Sequence, residues 1–190
     1  MWPLLVCSIV GVAIILERAW ALRRARIISP TLAEVIESQP STPDQIERLR
    51  QVSLEDKTVL GELTQVTFAH ATLPKPENVE AVQSVARQIV GRLERGLTTL
   101  ALIAELGPLL GLLGTVIGMV HLFNDVATKG LAEPAQVSKG IYEALTATMT
   151  GLGIAVPALV AYMYMRRRIE VLVLELERHT NELLTRLYRG

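Results

Sequence analysis

The sequence predicts an all-α integral membrane protein with three transmembrane helices, two of them extended into the cytoplasm. Half of the 190 residues are hydrophobic, and they gather in three blocks: Trp2 to Leu16, Leu97 to Phe123 and Ile141 to Met165. At about 1.5 Å of rise per residue, the second and third blocks are long enough to cross a hydrocarbon core of about 30 Å. No segment shows the apolar–polar alternation of a half-buried strand.

The first span is assigned to residues 1–22. Its apolar run is short, because Glu17 and Arg18 follow Leu16, so it crosses only with Arg18 snorkelling and Trp20 at the interface. A cleaved signal peptide is the rival reading. No basic residue precedes the apolar run, and Ala21-Leu22-Arg23 is a poor cleavage context, which favours a retained span. Met1 leaves almost no outer flank, so a natural start a few residues earlier is expected.

Residues 23–96 read as a cytoplasmic helical region. Helices are expected over 31–38, 45–52 and 54–72, with Ser41-Thr42-Pro43-Asp44 supplying an N-cap and a first-turn proline. Leu73-Pro74-Lys75-Pro76 breaks the pattern. From Asn78 no proline occurs before Pro108, which predicts one long helix running directly into the second span, 97–123. Residues 124–138, with Gly130 and Pro134, are expected to form an outer loop, and 139–165 the third span. In the tail, 166–190, Ile169, Leu172, Leu176, His179 and Leu183 form an apolar stripe at helical spacing. That stripe needs a partner, either another subunit or the cytoplasmic helices. Arg18, Arg23, Arg24, Arg26, Arg92, Arg95 and Arg166 to Arg168 all flank one side of the membrane, so the N-terminus is expected outside and the C-terminus inside.

Several chemistries find no support. Formal net charge is zero, and the basic residues lack the aromatic interleaving of a nucleic-acid surface. Cys7 is alone and reads as a packing residue; His70 and His179 have no companion ligands, so no metal or cofactor is expected. No phosphate-binding glycine loop or nucleophile–base set suggests an enzyme.

The informative residues lie inside the spans. Gly107, Gly111, Gly114 and Gly118 share one side of the second span, and Gly140, Ala144, Ala147, Thr148, Gly151 and Ala155 do much the same on the third, which permits close helix packing. Pro108 and Pro157 are expected to kink their helices. Thr115 and Thr148 fall at a common depth, roughly 12 Å below the outer surface. Such a pair either passes a proton or ligates a cation through water, or each hydroxyl bonds back to the carbonyl four residues earlier. Glu143 sits about 5 Å from the outer end of its helix and shares a face with Thr146 and Thr150, about 140° from Thr148. It therefore faces a pore, a neighbouring subunit or the outer interface. Glu105, at the inner mouth of the second span, faces water or meets a cationic neighbour, and His121 is an interfacial or pH-sensitive group.

The run Ala104-Glu-Leu-Gly-Pro-Leu-Leu-Gly-Leu-Leu-Gly-Thr-Val-Ile-Gly-Met119, with His121 and Phe123, precedes Gly140-Ile-Tyr-Glu-Ala-Leu-Thr-Ala-Thr148. Together they resemble the ExbB/TolQ/MotA proton-channel family, most closely its ExbB branch. Trp2-Pro3-Leu4-Leu5, Ile14-Ile-Leu-Glu-Arg18 and Leu22-Arg-Arg24 resemble the family's first span. The resemblance implies a Gram-negative inner-membrane subunit with a periplasmic N-terminus and a periplasmic 124–138 link, forming a homopentameric ring around ExbD-like single-span helices that each carry a membrane aspartate. It further implies a TonB-like partner that carries the work to outer-membrane import. Thr115, Thr148 and Glu143 match family positions tied to the ion route, with Thr146 and Thr150 as possible additions that leave protons or sodium ions as the coupled ion. Glu105 departs from the small or hydroxyl residue usual at its position, so no role is transferred to it. TolQ-like envelope work, a MotA-like stator and a non-conducting scaffold are the alternatives; stator chains of this type carry four spans and a larger cytoplasmic region.

Overall fold

A computed structural model describes residues 2–38, 42–130 and 134–188. They form eight helices in order: α1 (Trp2–Ala21), α2 (Arg24–Ile27), α3 (Pro30–Glu37), α4 (Pro43–Glu55), α5 (Val59–Ala69), α6 (Lys75–Leu93), α7 (Leu97–Lys129) and α8 (Pro134–Leu187). No strand occurs among the described residues. Three helical stretches, containing α1, α7 and α8, are long and apolar enough to cross a membrane. The chain divides into two compact units, Met1–Arg18 with Gly96–Tyr164, and Ala19–Arg95 with Met165–Gly190.

The first unit joins α1, α7 and the leading part of α8. Its interior is built largely from small side chains: Ala104, Ala144, Ala147, Ala155 and Ala158 are buried, along with Leu4, Leu97, Leu100 and Ile103. Large apolar side chains face outward instead, among them Leu109, Val116, Phe123, Met149 and Val160. In water this inversion would be prohibitive. In lipid, outward apolar groups are solvated, and close packing of small residues holds the helices together.

The second unit joins α2 to α6 with the remainder of α8. Ser29 caps α3, and Thr42 and Gln45 form a reciprocal capping box on α4 with Pro43 in its first turn. Ser41, placed by sequence in the same cap, lies outside the described residues. Asp56 accepts from the Thr58 backbone N–H at 2.7 Å, turning the chain between α4 and α5. Burial pushes the Asp56 carboxyl up, but hydrogen bonds from the Thr58 side chain and backbone and from Ser29 outweigh it and hold the group below its ordinary value. The tail stripe is satisfied within the chain: Ile169, Leu172, Leu176, His179 and Leu183 are all buried in this unit, as are Val82 and Ile89 of α6. Arg24 clamps Glu175, Arg178 binds Glu37 at 2.5 Å, and Tyr188 Oη accepts from Asn78 Nδ2 at 3.0 Å.

Two boundaries differ from the sequence expectation. The long helix expected from Asn78 into the second span is interrupted after α6, because Gly96 adopts a left-handed conformation at φ +81°. Glycine ends helices this way at little steric cost, and searching only for proline overlooks it. The outer loop expected over 124–138 is mostly helical, since α7 persists to Lys129 and α8 begins at Pro134. Gly130, at φ +86°, terminates α7, and the Thr128 hydroxyl donates to the Asn124 carbonyl at 2.8 Å within its last turns. Polar composition there marks helix outside the apolar layer rather than loss of helix. Pro108 and Pro157 both lie inside continuous helices.

Candidate functional site: a hydroxyl pair in a glycine seam

α7 and α8 run antiparallel, and their small residues face one another in register. A Cβ added at Gly107 would stand 3.1 Å from Ala155 Cβ, one at Gly111 3.0 Å from Thr148 Cα, one at Gly114 2.7 Å from Ala147 Cβ and one at Gly118 3.0 Å from Ala144 Cβ. Gly151 is the tightest from the other side, with the Gly107 carbonyl oxygen 2.5 Å from the position its Cβ would take. Successive glycines along α7 thus meet successively earlier small residues along α8. The glycines allow the two backbones to touch.

That approach brings Thr115 and Thr148 together. Their hydroxyl oxygens are 2.5 Å apart, and each lies 3.1 Å from the Gly111 carbonyl oxygen. The sequence alternatives were a paired site or separate back-bonding. Thr115 reaches its own helix's carbonyl four residues back, whereas Thr148 reaches across to α7.

Three short O···O contacts share only two hydroxyl hydrogens. If both threonines donated to Gly111, the two hydroxyl oxygens would meet with no hydrogen between them, an unfavourable arrangement. The remaining arrangements are Thr115 to Thr148 to Gly111 and Thr148 to Thr115 to Gly111. Both place every hydroxyl hydrogen inside the triangle and leave oxygen lone pairs for an outside group. The pair is therefore suited to accept a hydrogen bond from a protonated acid or a water, and concerted rotation of both hydroxyls exchanges the two arrangements.

The other sequence-selected groups are placed differently. Thr146 donates to the Tyr142 carbonyl at 2.7 Å and Thr150 to the Thr146 carbonyl at 2.8 Å, so both hydroxyls are satisfied by their own helix. Glu143 is exposed, with Lys139 Nζ 3.9 Å from its carboxylate, and does not join the threonine pair. It lines a groove of about 1180 Å³ formed by α1, α7 and α8, together with His121, Asp125 and Lys139. Gly114 and Ala147, the immediate neighbours of Thr115 and Thr148, also line this groove. Asp125, expected in the outer loop from sequence, lies instead on α7, which continues to Lys129 and brings it to the same groove as Glu143 and Lys139. Among the described residues no cluster of three or more His, Cys, Asp or Glu side chains could hold a metal.

Comparison with known proteins gives this geometry a context. Residues 50–178 match the model of the MotA/TolQ/ExbB proton channel family. The chain is 29% identical to the biopolymer transport protein ExbB of Neisseria meningitidis serogroup A, over 97% of this chain and 88% of that protein. It is 31% identical to the biopolymer transport protein exbB1 of Vibrio cholerae, over 83% of this chain and 70% of the relative. A shorter similarity, 39% over 50% of this chain and 43% of the relative, links it to the Tol-Pal system protein TolQ of Pseudomonas aeruginosa. With a family match over well more than half its length and outward-facing apolar helices, the chain is a membrane protein of the MotA/TolQ/ExbB proton channel family.

Proposed function

We propose that this chain is an ExbB-like proton-channel subunit of an inner-membrane energy-transducing complex, using the proton motive force to power TonB-dependent import across the outer membrane. The observation that carries the proposal is the threonine pair, held by the glycine seam and offering lone pairs inside a membrane helix hairpin. Among the described residues no carboxylate bonds to that pair, and the moving acid comes from an ExbD-like single-span partner. Protonated, the partner's aspartate donates to Thr115 or Thr148; deprotonated, it receives a hydrogen bond from a rotated hydroxyl. The pair thus binds both states of the acid and lowers the barrier to moving it through an apolar layer. A homopentameric ring enclosing the partner would cover part of the outward apolar surface, with lipid covering the rest. The arginine clusters support a periplasmic N-terminus and a cytoplasmic C-terminus.

Glu143, beside Lys139 in the outer groove, acts near the route's outer mouth or at a subunit contact. Thr146 and Thr150 are helix-satisfied and have a smaller part. Thr115→Val and Thr148→Val should each abolish energised uptake while the ring still assembles; normal uptake by both variants would refute the route. The TolQ similarity favours a second reading, an envelope-integrity subunit with the same hydroxyl chemistry. The single-span protein that co-purifies with the chain separates the two.

A further inference from the structure

Glu105 is the one acidic residue between Leu97 and Asn124. It is exposed on α7, and its side chain makes no hydrogen bond or ion pair among the described residues. Its neighbours one turn away, Leu102 and Leu109, are exposed and apolar, as is Leu106 beside it. Eight residues separate Glu105 from the start of α7, about 12 Å along the axis. A carboxylate at that position in hydrocarbon is costly unless it faces water or a polar partner.

Between Glu105 and the threonine pair, this side of α7 carries Pro108 and the exposed Leu112. On a regular helix Glu105 lies about 80° around from Thr115 and about 15 Å below it, with Pro108 between them in both angle and height. Pro108 has no N–H, so the Ala104 carbonyl receives no helix hydrogen bond from it. A carbonyl without its donor attracts water in an apolar layer. Thr98, also exposed, lies about 20° from Glu105 and two turns nearer the start of α7.

We propose that Glu105 is a proton-relay carboxylate on the inner limb of the route, taking protons released below the threonine pair and passing them to water at the cytoplasmic end of α7. This rests on the reading of Thr115 and Thr148 as the route. The ionised carboxylate accepts one proton from a hydrated proton and becomes a neutral acid. It then gives that proton to a water near Thr98 and returns to the anion, so charge and protons balance over each passage.

The test is proton flux in liposomes carrying the chain with its co-purified single-span partner, with ring assembly followed by native mass spectrometry. Glu105→Gln should lower flux by about tenfold or more with the ring intact, within the range expected for loss of a proton-transfer group. Glu105→Asp, which keeps the carboxyl, should restore most of it. Flux unchanged in Glu105→Gln while Thr148→Val abolishes it would overturn the relay and leave the threonine route standing. Unchanged flux in Thr148→Val would instead overturn the route on which the relay depends. A Glu105→Gln ring that fails to assemble, or an equal loss in the Asp variant, would also overturn the relay by making Glu105 a subunit contact.

Discussion

Adding one methyl group at Gly151 probes whether the glycine seam holds the hydroxyl pair. A Cβ at this position would stand 2.5 Å from the Gly107 carbonyl oxygen, 2.9 Å from Gly111 Cα and 3.2 Å from Gly111 N. All three are backbone atoms, so no side-chain rotation relieves the clash. Carbon pairs prefer about 3.5–4.0 Å, so α7 and α8 must separate by roughly 0.7–1 Å at this level. The Thr115–Thr148 contact of 2.5 Å would then lengthen toward 3.5 Å, the limit of a hydrogen bond. Overpacking of this kind destabilises by about 1–3 kcal/mol, or several degrees in thermal midpoint. Gly153→Ala is the matched control: it lies on the same helix, nothing stands within 4 Å of its Cβ position, and alanine favours helix by about 1 kcal/mol. Purified complexes in detergent would be melted and then reconstituted for proton flux. Gly151→Ala should lose both stability and flux while Gly153→Ala keeps both. Equal behaviour of the two variants would refute the claim that backbone contact positions the pair.

Three further outcomes follow from the geometry. Thr148→Ser should retain flux, whereas Thr148→Val should lose it; each hydroxyl contact in a membrane contributes only about 1 kcal/mol, so both should still assemble, as native mass spectrometry would show. Gly96→Ala should destabilise by about 1–2 kcal/mol because its φ of +81° is disfavoured for a residue with a Cβ, read as a lowered thermal midpoint. In the second unit, the hydrogen bond from Arg24 holds the Glu175 carboxyl below its ordinary value, against burial and with help from the charges of Arg24, His179 and Arg178. Its folded value lies below its unfolded one, so this stabilisation is complete above the ordinary carboxyl range near 4 and disappears as pH falls through the lowered value. Hydrogen exchange should therefore show α8 near Glu175 loosening in acid, with a smaller acid response in Glu175→Gln.

Much of the architecture was legible in local sequence. Block length predicted the three long apolar helices, and the steps among Gly107, Gly111, Gly114 and Gly118 predicted a shared face without coordinates. Equal counting from the two ends of a short outer link placed Thr115 and Thr148 at one depth. Their shared acceptor was not legible, because the choice of carbonyl depends on how closely the two backbones approach. The same limit applied to Thr146 and Thr150: a hydroxyl in a span looks available until its own helix satisfies it. The tail stripe announced that it needed a partner but not which one, since burial of Leu172 and His179 requires contacts remote in sequence. The interruption at Gly96 was readable in principle, as a glycine just beyond the last turn of α6.

The central claim is that the chain supplies hydroxyls for a moving acid that belongs to another protein. Proton flux into liposomes under an imposed gradient tests it directly, comparing the chain alone, the chain with its single-span partner, and that complex carrying Thr115→Val and Thr148→Val together. Flux is expected only in the unmodified complex. Conduction by the chain alone, or undiminished conduction by the doubly substituted complex, would contradict it.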